Sequence, residues 1–151
     1  MMNVYEKETD DVFEALKSTE STEDLLSFVN TLEMEYPDMS FADHFKQYLD
    51  NFKGTRQTLS RLSQVDKDYI YQITSGKKKA DRDKIIALCL AIGMTDQECI
   101  RCLERSNYGI LYAKNKRDAV IIYAFKNSYS VLQLNQKLSE LGLKPLLLSK
   151  K

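Results

Sequence analysis

Residues 55–94 read TRQTLSRLSQVDKDYIYQITSGKKKADRDKIIALCLAIGM, and this stretch decides the fold. Thr55 suits the N-cap of a short helix that carries Leu59 and Leu62. Val65 and Asp66 read as a turn, with Asp66 as the cap of the next helix. That helix holds Tyr69, Ile70 and Ile73 and stops at Ser75-Gly76. Lys77-Lys78-Lys79 is a basic connection. Asp81 then caps a third helix, whose segment IIALCLAI (85–92) is apolar on nearly every side. Such a helix belongs in the middle of a bundle. Gly93 stops it.

The same reading extends outward in both directions. Upstream, Phe41, Phe45, Tyr48, Leu49 and Phe52 form an aromatic stripe on a helix of about three turns, with Gly54 as its stop. Before it lie two short acidic helices. The first, 5–17, carries Val12, Phe13 and Leu16. The second is capped by Thr22 and has Leu25, Phe28, Val29 and Leu32 at i, i+3, i+4 and i+7, one clean face. Pro37 closes it. Downstream, Thr95 and Glu98 form a capping box that opens a helix with Cys99, Cys102 and Leu103 on one face. Asn107-Tyr108-Gly109 is a loop. A helix from Asp118 to Lys126 contains AVIIYAF (119–125), apolar all round. Ser130 caps a last helix with Val131, Leu134, Leu138 and Leu141 inward and Gly142 at its end. The residues show no internal repeat and no low-complexity segment. The expected fold class is all-α: an acidic helical segment at 1–37, a five-helix domain at 38–113 and a C-terminal helical hairpin at 114–151.

Composition agrees with this outline. Of 151 residues, 43% are hydrophobic and 29% charged, with only 5 Gly and 2 Pro, too few for turn-rich sandwiches or barrels. No apolar run approaches the ~20 residues of a membrane span. The acidic start MMNVYEKETDD lacks a signal peptide's basic end and apolar stretch. Three cysteines, an odd number, fit a reducing compartment. The expectation is a cytoplasmic protein away from membranes. The formal net charge of zero hides a division. Residues 1–52 carry 3 basic and 13 acidic side chains, net −10; 53–84 and 85–151 are each net +5. Charge asymmetry of this kind marks a nucleic-acid or membrane surface, or an acidic flank, or else merely solvated helix faces.

Residues 55–94 resemble the Cro/phage-repressor (XRE-type) family of helix-turn-helix DNA-binding domains. The resemblance rests on Leu59-Ser60 in the first helix of the motif, Val65 at the turn, Ile70 and Ile73 facing inward, Gly76-Lys77 at the helix end, and the apolar helix Ile85 to Gly93. The register holds over some forty residues. Four positions depart from the family pattern: Ser60 stands for Ala, Gln64 for Gly, Thr74 for Glu and Ala80 for Pro. Gln64 asks the turn for a shape that a side chain tolerates, or for strain. The flanks, through NKRDAVIIYAF, look like a group of bacterial regulators of this family. The resemblance implies a lambda-repressor-like bundle with extra helices at both ends.

It also implies a function: sequence-specific binding of double-stranded DNA by a bacterial transcriptional regulator. In such domains the second helix of the motif enters the major groove. Its early outward residues here are Lys67, Asp68, Tyr71 and Gln72, the expected base contacts. Arg56 and Gln57 at the start of the preceding helix, with Lys77, Lys78, Lys79 and Arg82, are the expected phosphate contacts. Paired half-sites imply a homodimer, with the apolar AVIIYAF helix in a two-fold interface. The alternative is an interaction protein that keeps the fold and binds a protein partner through its acidic N-terminus and tyrosine-bearing face. In a second form of that alternative the acidic segment folds over the motif.

Little else suggests chemistry. Cys99-Ile100-Arg101-Cys102 is a CxxC inside a helix, without a second Cys or His pair near it in sequence, and reads as core. His44, the only histidine, reads as surface or boundary. Walker and Rossmann glycine patterns are absent. No enzyme, cofactor or metal site is expected.

Overall fold

Helices from the second onward begin where a polar side chain closes the first turn. A computed structural model describes the backbone of residues 4–35 and 40–148, and the side chains of 11–31 and 40–148. Among them every regular element is helical: α1 (Val4–Lys17), α2 (Thr22–Glu35), α3 (Phe41–Asp50), α4 (Arg56–Ser63), α5 (Lys67–Thr74), α6 (Arg82–Ala91), α7 (Asp96–Arg105), α8 (Lys116–Lys126) and α9 (Val131–Glu140). Ser40, Thr55, Asp66, Asp81, Thr95, Asn115 and Ser130 each accept a backbone N–H of the helix they precede. Five of these caps were expected. Ser130 goes further than expected, because Gln133 reaches back to its N–H and completes a second capping box.

Some local expectations are corrected. Ser21, not Thr22, closes the first turn of α2 by accepting the Asp24 N–H at 3.0 Å. Asn51 ends α3, so Gly54 is not its stop. The helix placed at Asp118 starts at Lys116, because Asn115 supplies the cap. Leu141, expected inward, is 57% exposed, since it follows α9 rather than lying within it. Pro37 and the end it was to impose on α2 lie outside the described residues.

The chain forms two units, Met1–Asp38 and Met39–Lys151. In the first, α1 and α2 are joined by a short turn, and no described side chain is buried. In the second, α6 is central. It packs on α4, α7 and α9, and everything from Lys84 to Leu90 is buried. Around it Phe45, Leu59, Ile70, Ile73, Leu103, Ile121, Leu134 and Leu138 complete one continuous core. The two C-terminal helices are part of this unit.

The absence of a repeat is the largest correction. The hairpins α6–α7 and α8–α9 are one structure built twice. Ala91 and Lys126, Asp96 and Val131, and Arg105 and Glu140 are helix ends that each lie 35 positions apart. Left-handed backbone recurs at the same spacing, at Gly93 and Ser128 and again at Asn107 and Gly142. The capping boxes Thr95–Glu98 and Ser130–Gln133 correspond. So do the turn bonds from the Met94 N–H to the Cys89 carbonyl and from the Tyr129 N–H to the Ala124 carbonyl.

The copies meet reciprocally, α6 on α9 and α7 on α8, as about a two-fold axis. Their join is a pair of crossed ion pairs. Arg82 clamps Asp118 with both terminal nitrogens, at 3.2 and 2.9 Å, while its Nε and Nη2 donate to the Gly109 and Ile110 carbonyls. Arg117 clamps Asp83 at 3.2 and 3.1 Å, while its Nε and Nη2 donate to the Lys144 and Pro145 carbonyls. Asp118 also accepts the Tyr112 N–H, and Asp83 the Leu147 N–H.

Asp118 is 9% exposed, so removing its carboxylate strands a guanidinium and a backbone N–H together. Asp118→Ala is therefore expected to destabilise the fold by about 3 kcal/mol. In a thermal melt followed by circular dichroism this reads as a drop of roughly 10 °C.

Candidate nucleic-acid interface

The segment from Thr55 to Ala80 places most of the residues singled out in the sequence on one surface. Helices α4 and α5, eight residues each, are joined by Gln64, Val65 and Asp66. Gln64 takes the left-handed conformation at φ 65°, ψ 14°, and its N–H bonds to the Ser60 carbonyl. The strain anticipated there is present. Two serines tie the turn down. Ser60 Oγ donates to the Val65 carbonyl, and Ser63 Oγ accepts the Val65 N–H at 3.2 Å. The Ser60 hydroxyl thus holds the turn that Gln64 strains. Val65, Ile70 and Ile73 are buried and hold α5 against the core.

On the open side of α5, Lys67, Asp68 and Tyr71 are exposed. Arg56 and Gln57 are exposed in the first turn of α4. Arg56 lies over the Tyr71 ring, its Cζ 4.8 Å from the centroid, and Lys77 Nζ lies 5.2 Å from the same ring. A shallow depression of about 350 Å³ opens beside them, lined by Leu49, Thr55, Arg56, Tyr71, Thr74 and Ser75.

The basic run is ordered by aromatic rings. Gly76, at φ 81°, turns the chain back along α5. Lys78 then stands 5.0 Å over Tyr69, and Lys79 stands 5.0 Å over Tyr108. Lys84 approaches Tyr69 within 4.9 Å and is held by Asp81 at 2.7 Å. Burial, reinforced by Asp81 and Tyr69, pushes the Tyr108 pKa up. Its phenol keeps the proton that it donates to the Ala80 carbonyl at 2.9 Å. Each such cation–ring contact is worth about 0.5–1 kcal/mol at an exposed site. Tyr69, Tyr108 and Lys84 were missed in the sequence. For Tyr69 the available signal was Gly76, because a reversal there sets Lys77 beside Tyr71 and Lys78 beside Tyr69; Tyr108 and Lys84 left no local signal.

Two expected residues behave differently. Arg82 is not available to a phosphate: it donates to Asp118 and to two loop carbonyls, which is a structural task. Gln72 is half-buried, and its Oε1 is shut in without a hydrogen-bond partner. It reaches a base only by swinging out.

The cysteines and histidine gather elsewhere. Cys89, Cys99 and Cys102 are free and buried, and His44, expected at the surface, is 8% exposed and meets the Tyr48 ring edge-on. Burial drives the Cys89 thiol well up. Cys102 is drawn down, chiefly by its hydrogen bond with Cys89 and also by His44. Among the described residues no group of His, Cys, Asp or Glu has the arrangement to hold a metal ion. No helix among them is long and apolar enough to cross a membrane.

Comparison with protein-family models, with curated proteins and with solved structures gives no significant match to this chain.

The turn yields a pair of opposite expectations. Gln64→Gly relieves the left-handed strain and is expected to raise stability by about 1 kcal/mol. Ser60→Ala removes a hydrogen bond at a part-buried site and is expected to lower it by about 1 kcal/mol. Urea unfolding of the two variants checks both signs.

Proposed function

We propose that the chain is a sequence-specific binder of double-stranded DNA. In this reading 38–113 is a lambda-repressor-like helix-turn-helix domain of the Cro/phage-repressor kind, acting as a transcriptional regulator in a bacterial cytoplasm. The observation that carries the reading is the ring-ordered basic surface: Arg56, Lys77, Lys78 and Lys79 set around the tyrosines beside the open face of α5. Helix α5 enters the major groove, with Lys67 and Tyr71 meeting base edges and Asp68 positioned to accept from cytosine. Gln72 joins them when its amide leaves the half-buried site, and pairing with adenine then supplies its missing partner. Arg56 and Gln57 sit at the N-terminus of α4, where backbone N–H groups favour a phosphate. The ammonium groups at 77–79 stand 5.0–5.2 Å from ring centroids and keep hydrogens for phosphates. Arg82 has no part in this contact set.

Two copies acting on paired half-sites about 34 Å apart complete the proposal. The argument for the dimer is narrower than the sequence suggested. Helix α8 buries Ile121, Ala124 and Phe125 within its own unit and half-buries Val120 and Ile122, which leaves Tyr123 as its open aromatic face. The activity is binding, with no catalytic step.

Changing Lys77, Lys78 and Lys79 together to Gln is expected to weaken binding to all duplexes alike. It is also expected to flatten the salt dependence of affinity by about three units. Fluorescence anisotropy on random duplex DNA across a salt series checks this. An unchanged slope assigns the run to surface order alone and overturns the phosphate contact.

A further inference from the structure

We propose that the acidic N-terminal unit is a docking surface for a basic amphipathic helix of a partner protein. This interaction is separate from DNA binding and does not depend on it.

The periodicity of α2 prescribes an inward face through Leu25, Phe28 and Val29. In the structure that face is open: Leu25 is 42% and Val29 40% exposed, and only Phe28 is half-covered. Phe13, Leu16 and Leu26 are exposed as well. Val12 on α1 and Phe28 on α2 are half-buried, and the other large apolar side chains described on the two helices stay exposed. Exposed large apolar groups gathered on short helices mark an interaction surface. An amphipathic helix laid along the stripe is the mode of recognition that fits i, i+3, i+4 anchors.

Charge selects the occupant. Residues 1–38 carry 11 acidic and 2 basic side chains, net −9. Of the two bases, Lys17 already faces Glu14 at 3.6 Å and lies over Phe13. Two such units brought together oppose like charges, which argues against a second copy of this unit. A partner helix with apolar residues at helical spacing and Lys or Arg on its flanks meets both the stripe and its acidic surroundings.

The test uses the full chain and a labelled peptide of leucine and lysine at amphipathic helical spacing. A scrambled peptide of the same composition is the control. Anisotropy is expected to show saturable binding of the first and little of the second. The double variant Leu25→Ser/Val29→Ser is expected to weaken binding by about tenfold or more. Both residues are exposed, so its helicity and its affinity for duplex DNA are expected to be unchanged. Equal binding of the scrambled peptide reduces the surface to bulk charge and overturns the proposal. Undiminished binding by the double variant does the same. A fall in sedimentation mass from dimer to monomer in that variant names a second copy as the occupant and also overturns it. Loss of DNA binding by the lysine variants leaves the outcome untouched.

Discussion

The second unit depends on one constraint: α6 is surrounded, so the polar groups at its start must be satisfied from inside the protein. From Lys84 to Leu90 every residue of α6 is buried, a lysine included. The first turn carries Asp81, Arg82, Asp83 and Lys84, four charges at the edge of a low-dielectric core. Each has a named partner. Asp81 holds Lys84, Arg82 holds Asp118, and Asp83 holds Arg117. Attraction between charges this close competes with the large cost of taking them from water. The added hydrogen bonds to loop carbonyls and N–H groups tip that balance, because few donor or acceptor sites are left unmade. Crossing the pairs between two copies of one hairpin also fixes register: a slip of α8 along α6 breaks both clamps at once.

The same constraint shapes the candidate interface from behind. Because Asp81 is engaged by Lys84, the Lys84 ammonium sits near Tyr69. Tyr108 reaches over from beyond α7 to the Ala80 carbonyl and lies under Lys79. The basic run is therefore held at its far end by the start of α6 and at its near end by the turn at Gly76. Its position follows from the core rather than from solvent. A surface whose cations are already ordered loses less side-chain entropy on meeting an anionic partner.

The fold was legible in the sequence where local rules suffice. Asp66, Asp81, Thr95 and Ser130 announce helix starts by short-range bonding, and IIALCLAI announces a buried helix by having no polar side. The repeat was not legible. Its copies share Arg82 and Arg117, Asp83 and Asp118, Ile86 and Ile121, Leu103 and Leu138, and Leu111 and Leu146, but few other identities. What recurs is conformation: a left-handed turn is Gly93 in one copy and Ser128 in the other, and a cap is Thr95 in one and Ser130 in the other. Arg82 was misread for a related reason. An arginine at a helix start beside three lysines looks like a phosphate contact, and only the fold brings Asp118, 36 positions away, to meet it. His44 was misread because its burial depends on α7 packing against α3, a long-range contact without local trace.

Strain is distributed unevenly over the second unit, and its location bears on function. Asn107 and Ser128 occupy left-handed turns whose counterparts in the other copy are Gly142 and Gly93. Those positions belong to a scaffold turn that the repeat builds with either kind of residue. Gln64 has no counterpart in either hairpin, and it lies in the turn between α4 and α5. Gln72, eight positions on, keeps a buried acceptor unpaired on α5. A chain that needed only to be stable would gain from Gly at the first position and an apolar residue at the second. Departures that raise the free energy of the native state persist where the surroundings over-determine them, and such sites gather where a protein binds. Two of them fall within the nineteen residues of α4, the turn and α5. The same short stretch carries the exposed Lys67, Asp68 and Tyr71, so the strained turn and the open polar face belong to one element.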